Sequence, residues 1–316
     1  MDPVSVIIPN WNGAALLRRH LPAVLYELEQ WHPESECIVV DDGSIDGSVS
    51  LLRESFPTIR LIRQHLNRGF SSAVNAGIAA ARNEQLLLLN NDVEVTRGFL
   101  GPLQSAFAGG LDTFASAALQ RYPQPNGETV LDGFNTMCWR NGHIEFLNRT
   151  DAVVRGESSS LAYCTAGCSL FSKEKLLALG GFCELFDPFY YEDAEVNLQA
   201  ARQGWRLAFA PDSVVEHHHG SSSRWKPWKL RLIPVRNHFL LHWLLLDTPA
   251  LWWRHITGVG FRLVGWTLQG RIRYAIGLCM ALAKLPAVAR ERLRRARGVV
   301  RSTADLLRDC DYGARR

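Results

Sequence analysis

Apolar residues in roughly the first 90 positions come in short continuous runs, each closed by polar residues. Runs at 4–9, 37–40, 59–62 and 86–89 have the length and β-branched or leucine content of buried strands. Between them lie segments with helical spacing. Residues 14–31 place Leu16, Leu17, Leu21, Val24, Leu25 and Leu28 on one side, and shorter helices are expected over 47–54 and 70–81. Strands alternating with helices predict a right-handed, mostly parallel α/β sheet. The pattern loosens over 110–165, where 122–127 and 155–160 read as loops. It resumes with a strand at 162–171, a helix at 173–179 stopped by Gly180-Gly181, a helix at 192–203 stopped by Gly204, and a strand at 205–209.

Past residue 225 the pattern changes again. Six of the ten tryptophans (Trp225, Trp228, Trp243, Trp252, Trp253, Trp266) fall there among leucines and arginines. The longest apolar runs, 239–246 (broken by His242) and 274–283, fall short of the ~18–20 residues that cross a bilayer. The expected layout is a 1–224 α/β domain, divided near residue 95, followed by a helical 225–316 region. Charge follows the same division. Residues 1–216 carry 16 Lys/Arg and 26 Asp/Glu, a balance of −10, and 217–316 carry 19 and 5, a balance of +14, which together give +4. Basic helices with Trp and Leu faces predict attachment to an anionic membrane surface, as a peripheral protein on its cytoplasmic side. Seven cysteines at irregular spacing form no CxxC pair and are expected as reduced thiols. Met1-Asp2-Pro3 runs at once into strand pattern, so no signal peptide is expected.

Candidate chemistry sits where the apolar runs stop. The run ending in Asn90-Asn91-Asp92 reads as a strand opening onto the ligand-binding edge of an α/β sheet, although alone it is also a good turn. Asp41-Asp42, Glu192-Asp193 and His217-His218-His219 occupy comparable positions at strand ends or helix starts. Each has an ordinary reading as a turn, a helix-start acidic pair or a solvated loop. Together they suggest an assembled site.

Several segments carry a resemblance: 4–13 (Val-Ser-Val-Ile-Ile-Pro-Asn-Trp-Asn-Gly), 39–44 (Val-Val-Asp-Asp-Gly-Ser), Asn67-Arg-Gly-Phe70 with Asn75-Ala-Gly77, 86–92, Gly180-Gly-Phe-Cys-Glu184, and Tyr191-Glu-Asp-Ala-Glu195. As a set, in this order over about 1–225, they resemble inverting family 2 glycosyltransferases, and within them the rhamnosyltransferase-type branch of bacterial surface-polysaccharide synthesis. The resemblance implies a GT-A fold, with a nucleotide-sugar half followed by an acceptor half. It implies that Pro9, Asn12 and Asp42 contact base or ribose, and that Asn67, Gly69, Asn90 and Asn91 lie along the nucleotide sugar. Asp92, in the last place of the family's Asp-x-Asp motif, would hold Mg²⁺ or Mn²⁺ with His217, His218 being the alternative. Asp193 would be the general base and Glu192 would orient a sugar. The implied donor is a nucleoside-diphosphate sugar, with dTDP-rhamnose favoured and UDP-sugars open. The implied acceptor is a lipid-linked or growing glycan.

The chain departs from the family pattern at Cys183, where the usual residue is Asp, at Pro188, and in lacking an Arg after the Ala-Gly strand. Cys183 reads as a small buried replacement. Competing readings are a nucleotidyltransferase, disfavoured because Asn10-Trp-Asn-Gly13 is no Gly-rich triphosphate loop, and a non-enzymatic polyanion binder using the basic tail, with no nucleic acid expected as the partner.

Overall fold

The computed structural model describes every residue except Ser158, 219–230, 270–271 and 314–316. The expected boundary at 224/225 lies outside the described residues, as do His219, Trp225 and Trp228.

The amino-terminal half alternates as expected: β1 (Val4–Asn10), α1 (Ala14–Trp31), β2 (Glu36–Asp42), α2 (Ser48–Ser55), β3 (Arg60–Gln64), α3 (Phe70–Ala80) and β4 (Gln85–Leu89). Leu17, Leu21, Val24 and Leu28 of α1 are buried at helical spacing. On α3, Gly77 lets the helix lie directly on the sheet, since a Cβ there would stand 2.4 Å from Ile7 Cγ2. These strands pair in parallel in the order β3-β2-β1-β4.

The next segment is more regular than its sequence suggests. It contains β5 (Val93–Val95), α4 (Leu100–Ala108), β6 (Thr113–Pro123), β7 (Thr129–Asp132), the hairpin of β8 (Asn135–Arg140) and β9 (His143–Asn148), and α5 (Thr150–Val154). Beyond β4 the sheet is mixed. β10 (Cys168–Ser172) runs antiparallel to both β4 and β6, and it is shorter than expected, since residues 162–167 form a loop where the apolar pattern suggests strand. Then come α6 (Lys173–Ala178), α7 (Glu192–Arg202) and β11 (Arg206–His217). β11 extends past the expected 205–209 by bulging between Ala210 and Val214, then pairs antiparallel with β5. That bulge carries His217 to the β5 edge.

The carboxyl-terminal region is helical: α8 (Ile233–Leu245), α9 (Pro249–Leu268), α10 (Arg273–Leu282), α11 (Leu285–Arg295) and α12 (Thr303–Gly313). One continuous apolar cluster joins Phe239, Leu240 and Leu244 of α8 to Met137 and Ile144 of the hairpin, Phe186, and Leu198 of α7. The helices therefore share a core with the β8–β9 hairpin and α7. No helix among the described residues is long and apolar enough to cross a membrane. Burial pushes the Cys37 thiol up to about 12 and raises Cys183 too, so Cys183 is an inert filler.

Candidate active site

The polar ends of β1, β2 and β4 meet. Asp41 is fully buried, accepting from Asn10 Nδ2 (3.3 Å) and the Ser44 amide (3.1 Å). Asn10 Oδ1 in turn accepts from Asn91 Nδ2 at 2.8 Å. Gly13 is needed above this pair, as a Cβ would come within 2.4 Å of both Asn10 Oδ1 and Asn91 Nδ2. Asn12, at φ 51°, accepts the Ile45 amide at 2.8 Å, and Ser44 Oγ accepts the Asn12 amide at 2.8 Å.

Asp42 turns inward. Its two oxygens accept the amides of Arg68 (2.8 Å) and Gly69 (2.9 Å), so it fastens the 67–70 loop to the end of β2. Burial raises its pKa, opposed by those two amides. From the other side Asp187 Oδ1 accepts the Ser71 amide at 2.9 Å, and the Pro188 carbonyl accepts the Phe70 amide at 3.0 Å. Gly69, at φ 106°, is obligatory because a Cβ would lie 2.6 Å from Asp187 Cγ. The Asp187 carboxylate thus packs directly against the Gly69 backbone. Burial pushes Asp187 up to about 6.

Asp92 follows β4 and meets the end of β11. Its Oδ1 lies 3.0 Å from His217 Nε2. His217 Nδ1 lies 2.8 Å from Gln120 Oε1, and the Tyr122 hydroxyl donates to the same oxygen at 3.0 Å. An amide oxygen only accepts, so Nδ1 carries hydrogen and Nε2 faces the carboxylate either as an imidazolium N–H or through a shared cation. A carboxylate oxygen and an imidazole nitrogen 3.0 Å apart are a donor pair that fits Mn²⁺ or Mg²⁺, and Gln120 supplies the outer contact that orients a ligating imidazole. His218 points elsewhere: its ring contacts Glu94 at 3.2 Å and stacks on His20. Glu94 lies on that separate face, with Arg19 at 3.4 Å.

Glu192 and Asp193 open α7. Tyr190 and Tyr191, both at left-handed φ (78° and 76°), lead into them. Non-glycine residues hold such angles only when the surroundings enforce them. Here Asn237 Nδ2 binds the carbonyls of Phe186 (2.6 Å), Phe189 (2.9 Å) and Tyr190 (3.0 Å), and Arg236 Nη2 binds that of Asp187 (2.6 Å). Burial raises Glu192 well above the usual carboxylate range, with the neighbouring Asp193 adding to it, and Glu192 Oε2 has no hydrogen-bond partner among the described residues. Burial pushes Asp193 up to about 6 against the amides of Ala194 and Ala166. A carboxylate near 6 is suited to taking a proton at neutral pH.

One tripeptide joins the two clusters. Gln120 Nε2 donates to Thr165 Oγ1, the Ala166 amide reaches Asp193 Oδ2 at 3.4 Å, and the Gly167 carbonyl accepts the Asn90 amide at 3.0 Å. A Cβ on Gly167 would stand 2.7 Å from Gln120 Oε1 and 3.1 Å from His217 Cε1. Tyr122 lies between the clusters; burial raises its phenol, with Asp132, Asp92 and Asp193 adding to the shift.

Gln120, Tyr122, Asp187 and residues 165–167 escaped the sequence reading. Gln120 has a recoverable signal, since an apolar run from Phe114 to Leu119 ends at it as 86–89 ends at Asn90.

The glycosyl transferase family 2 model matches residues 5–180. The chain belongs to that family. It is a glycosyltransferase, and its GT-A fold recurs in solved relatives. A mannosyltransferase from Pyrobaculum calidifontis, solved with GDP-Man and Mn²⁺, superposes with a TM-score of 0.56 at 19% identity, over 93% of this chain and 86% of that one. GalNAc-T7, solved with UDP, GalNAc and Mn²⁺, gives 0.61 at 17% identity, over 78% of this chain and 48% of that one. In sequence, this glycosyltransferase is 22% identical over 293 residues to the N-acetylglucosaminyl-diphospho-decaprenol L-rhamnosyltransferase of Mycobacterium tuberculosis, covering 86% of this chain and 91% of that protein. It is also 26% identical over 225 residues to the pre-mycofactocin glycosyltransferase of that organism, covering 70% of this chain and 44% of that protein.

Proposed function

We propose that this glycosyltransferase moves a sugar, with inversion, from a nucleoside-diphosphate donor to a hydroxyl of a polyprenyl-diphosphate-linked saccharide at an anionic membrane face. dTDP-rhamnose is the favoured donor, by likeness to the rhamnosyltransferase named above. The observation that carries the chemistry is the pairing, through residues 165–167, of the Asp92–His217 cluster with the Glu192–Asp193 pair. The donor lies along Pro9, Asn12, Asp42, Asn67, Gly69, Asn90 and Asn91, with Asp42 acting by shaping the 67–70 loop. Asp193 takes the proton of the acceptor hydroxyl. The hydroxyl oxygen then bonds to the anomeric carbon as the bond to the diphosphate oxygen breaks, and Glu192 orients a sugar. Asp92 and His217 would hold a divalent cation, which when bound offsets charge on the departing diphosphate.

The membrane reading rests on α9. Trp253, Ile256, Phe261, Val264 and Leu268 are 59–83% exposed along one side of it. Arg262 instead turns toward the protein, 3.2 Å from Glu145. A helix with apolar side chains outward and an arginine inward suits the lipid interface. Among the carboxyl-terminal cations, Arg236, Arg292 and Arg295 are committed to carbonyls or carboxylates, which leaves Arg273, Arg290 and Arg297 exposed for lipid phosphates.

Asp193→Asn tests the chemistry: it should still bind donor by calorimetry yet lose transfer to a polyprenyl-diphosphate acceptor. Wild-type turnover by that variant refutes the assignment. Phe261→Asp with Leu268→Asp should abolish flotation with phosphatidylglycerol vesicles while hydrolysis of donor persists; unchanged flotation refutes the membrane face.

A further inference from the structure

Away from the active site, the β8–β9 turn inserts between α8, α9 and α10, bringing His143 against His242 and His255. All three side chains are buried, and one nitrogen from each lies within 4.8 Å of the others. The ring centres are 5.0 Å (143–242), 5.2 Å (143–255) and 4.8 Å (242–255) apart. Three imidazoles on one tetrahedral ion at ~2.0–2.1 Å place their ring centres about 5 Å apart.

The hydrogen bonds fix which nitrogens can serve. His242 Nδ1 faces the His238 carbonyl at 2.6 Å and His255 Nδ1 faces the Gly142 carbonyl at 2.8 Å. Carbonyls only accept, so both Nδ1 atoms carry hydrogen and both Nε2 atoms present lone pairs. His143 Nε2 is 3.0 Å from the Tyr274 hydroxyl, and His143 Nδ1 is buried with no hydrogen-bond partner among the described residues. Each ring thus has one nitrogen anchored to an oxygen, as metal-bound histidines do; of the other nitrogens His143 Nδ1 is open, while the Nε2 atoms of His242 and His255 accept from the Ile144 amide and the Trp243 indole. The close packing is built in: a Cβ on Gly142 would stand 2.7 Å from Gly258 Cα of α9. Burial lowers all three pKa values, His143 to about 2, keeping the rings in the neutral form that ligates metal.

We propose that His143, His242 and His255 form a structural site for a zinc-class cation, clamping the β8–β9 hairpin to the carboxyl-terminal helices. The all-nitrogen donor set sets it apart from the oxygen-rich surroundings of Asp92 and favours Zn²⁺ or Co²⁺ over Mg²⁺. Loading displaces two donated hydrogen bonds, from the Ile144 amide to His242 (2.6 Å) and from the Trp243 indole to His255 (3.3 Å). The fourth position is left to water. The site is independent of the catalytic reading, since it touches none of those residues.

The test uses the untagged full chain carrying Asp92→Asn and Glu94→Gln. These changes remove the catalytic cation position and the surface group of Glu94, Glu216 and His218, which also brings donor atoms within 4.8 Å of one another. After chelation, Co²⁺ should bind at one per chain with the visible absorption of a tetrahedral site, and Zn²⁺ should displace it and raise Tm. His143→Asn, with its fold verified by far-UV circular dichroism, should lose both responses. If His143→Asn fails to fold, His255→Asn serves in its place. Absence of stoichiometric Co²⁺ binding and of a Zn²⁺-dependent Tm shift in the parent overturns the proposal, as does an undiminished cobalt spectrum in a folded histidine variant.

Discussion

Arg295→Met is the most decisive perturbation of the join between the two halves of the molecule. Arg295 Nη1 lies 3.1 Å from Glu195 Oε2 in α7, and the two side chains are 1% and 0% exposed. Its Nε reaches Glu291 at 2.6 Å and its Nη2 the Gly181 carbonyl at 3.1 Å. Methionine fills much of the volume but leaves the buried Glu195 carboxylate without a counter-charge at Oε2, with Gln199 Nε2 still donating to Oε1 at 3.1 Å. Breaking one side of a buried pair costs about 3–5 kcal/mol, more than the pair itself is worth against an apolar replacement. At roughly 2 °C per kcal/mol for a chain of this length, Tm should fall by about 6–10 °C. Burial already raises the pKa of Glu195, and Arg295 is the largest influence opposing that rise. Without it the folded-state pKa climbs further above the unfolded value. The penalty is then absent below the unfolded carboxyl pKa, near 4, and grows as pH rises toward the folded value. The deficit of Arg295→Met should therefore be large at pH 8 and shrink toward about pH 4. Adding Glu195→Gln should restore most of the loss, giving a double-mutant cycle with strongly positive coupling. Thermal unfolding followed by circular dichroism across pH measures all of this. A loss under about 1 kcal/mol that is independent of pH would refute the reasoning.

Three other outcomes follow from the site. Asp193, near 6 in the folded protein, must be ionised to accept a proton, so kcat/KM should climb with pH through about 6 and level off above it; a profile flat across that range sinks its role as base. Gly167→Ala should push on Gln120 and His217, lowering divalent-metal affinity on the order of 10–100-fold with little change in Tm, and unchanged metal titration in a transfer assay counts against the Gln120–His217–Asp92 chain. Because Glu192 has a raised folded-state pKa, wild-type stability should drop as pH rises through that value, whereas Glu192→Gln should be less pH-sensitive on the alkaline side; parallel Tm curves would contradict this.

What could be read from the sequence divides along a physical line. β1 to β4 and their helices announce themselves because a strand buried on both faces must be apolar throughout, and Leu86 to Leu89 is such a strand. The polar ends of those runs point to Asp92 and the Asp41-Asp42 turn for the same reason, while Asn10, which joins them, was not singled out. The mixed half of the sheet was less legible. β10 is only Cys168–Ser172, and the loop before it, containing Ala162, Cys164 and Ala166, is as buried as a strand. Composition therefore cannot tell that loop from a strand. Nor could net charge reveal that Arg236, Arg292 and Arg295 spend their donors inside the molecule, since a +14 tail reads the same whether its guanidinium groups meet lipid or carbonyls. That His217 rather than His218 lies beside Asp92 follows the Ala210–Val214 bulge, a three-dimensional offset invisible in a run of identical residues.

The common core of α8 with the hairpin and α7 also governs how this enzyme can change. The two apolar clusters on the faces of the central sheet are separate from that core and take in β1 to β4. Sequence change can therefore enter through α8, whose Asn237 holds the Tyr190 carbonyl from behind, without disturbing those strands. A lineage could retune which saccharide it extends by exchanging this helical backing, leaving the machinery that splits the donor bond untouched.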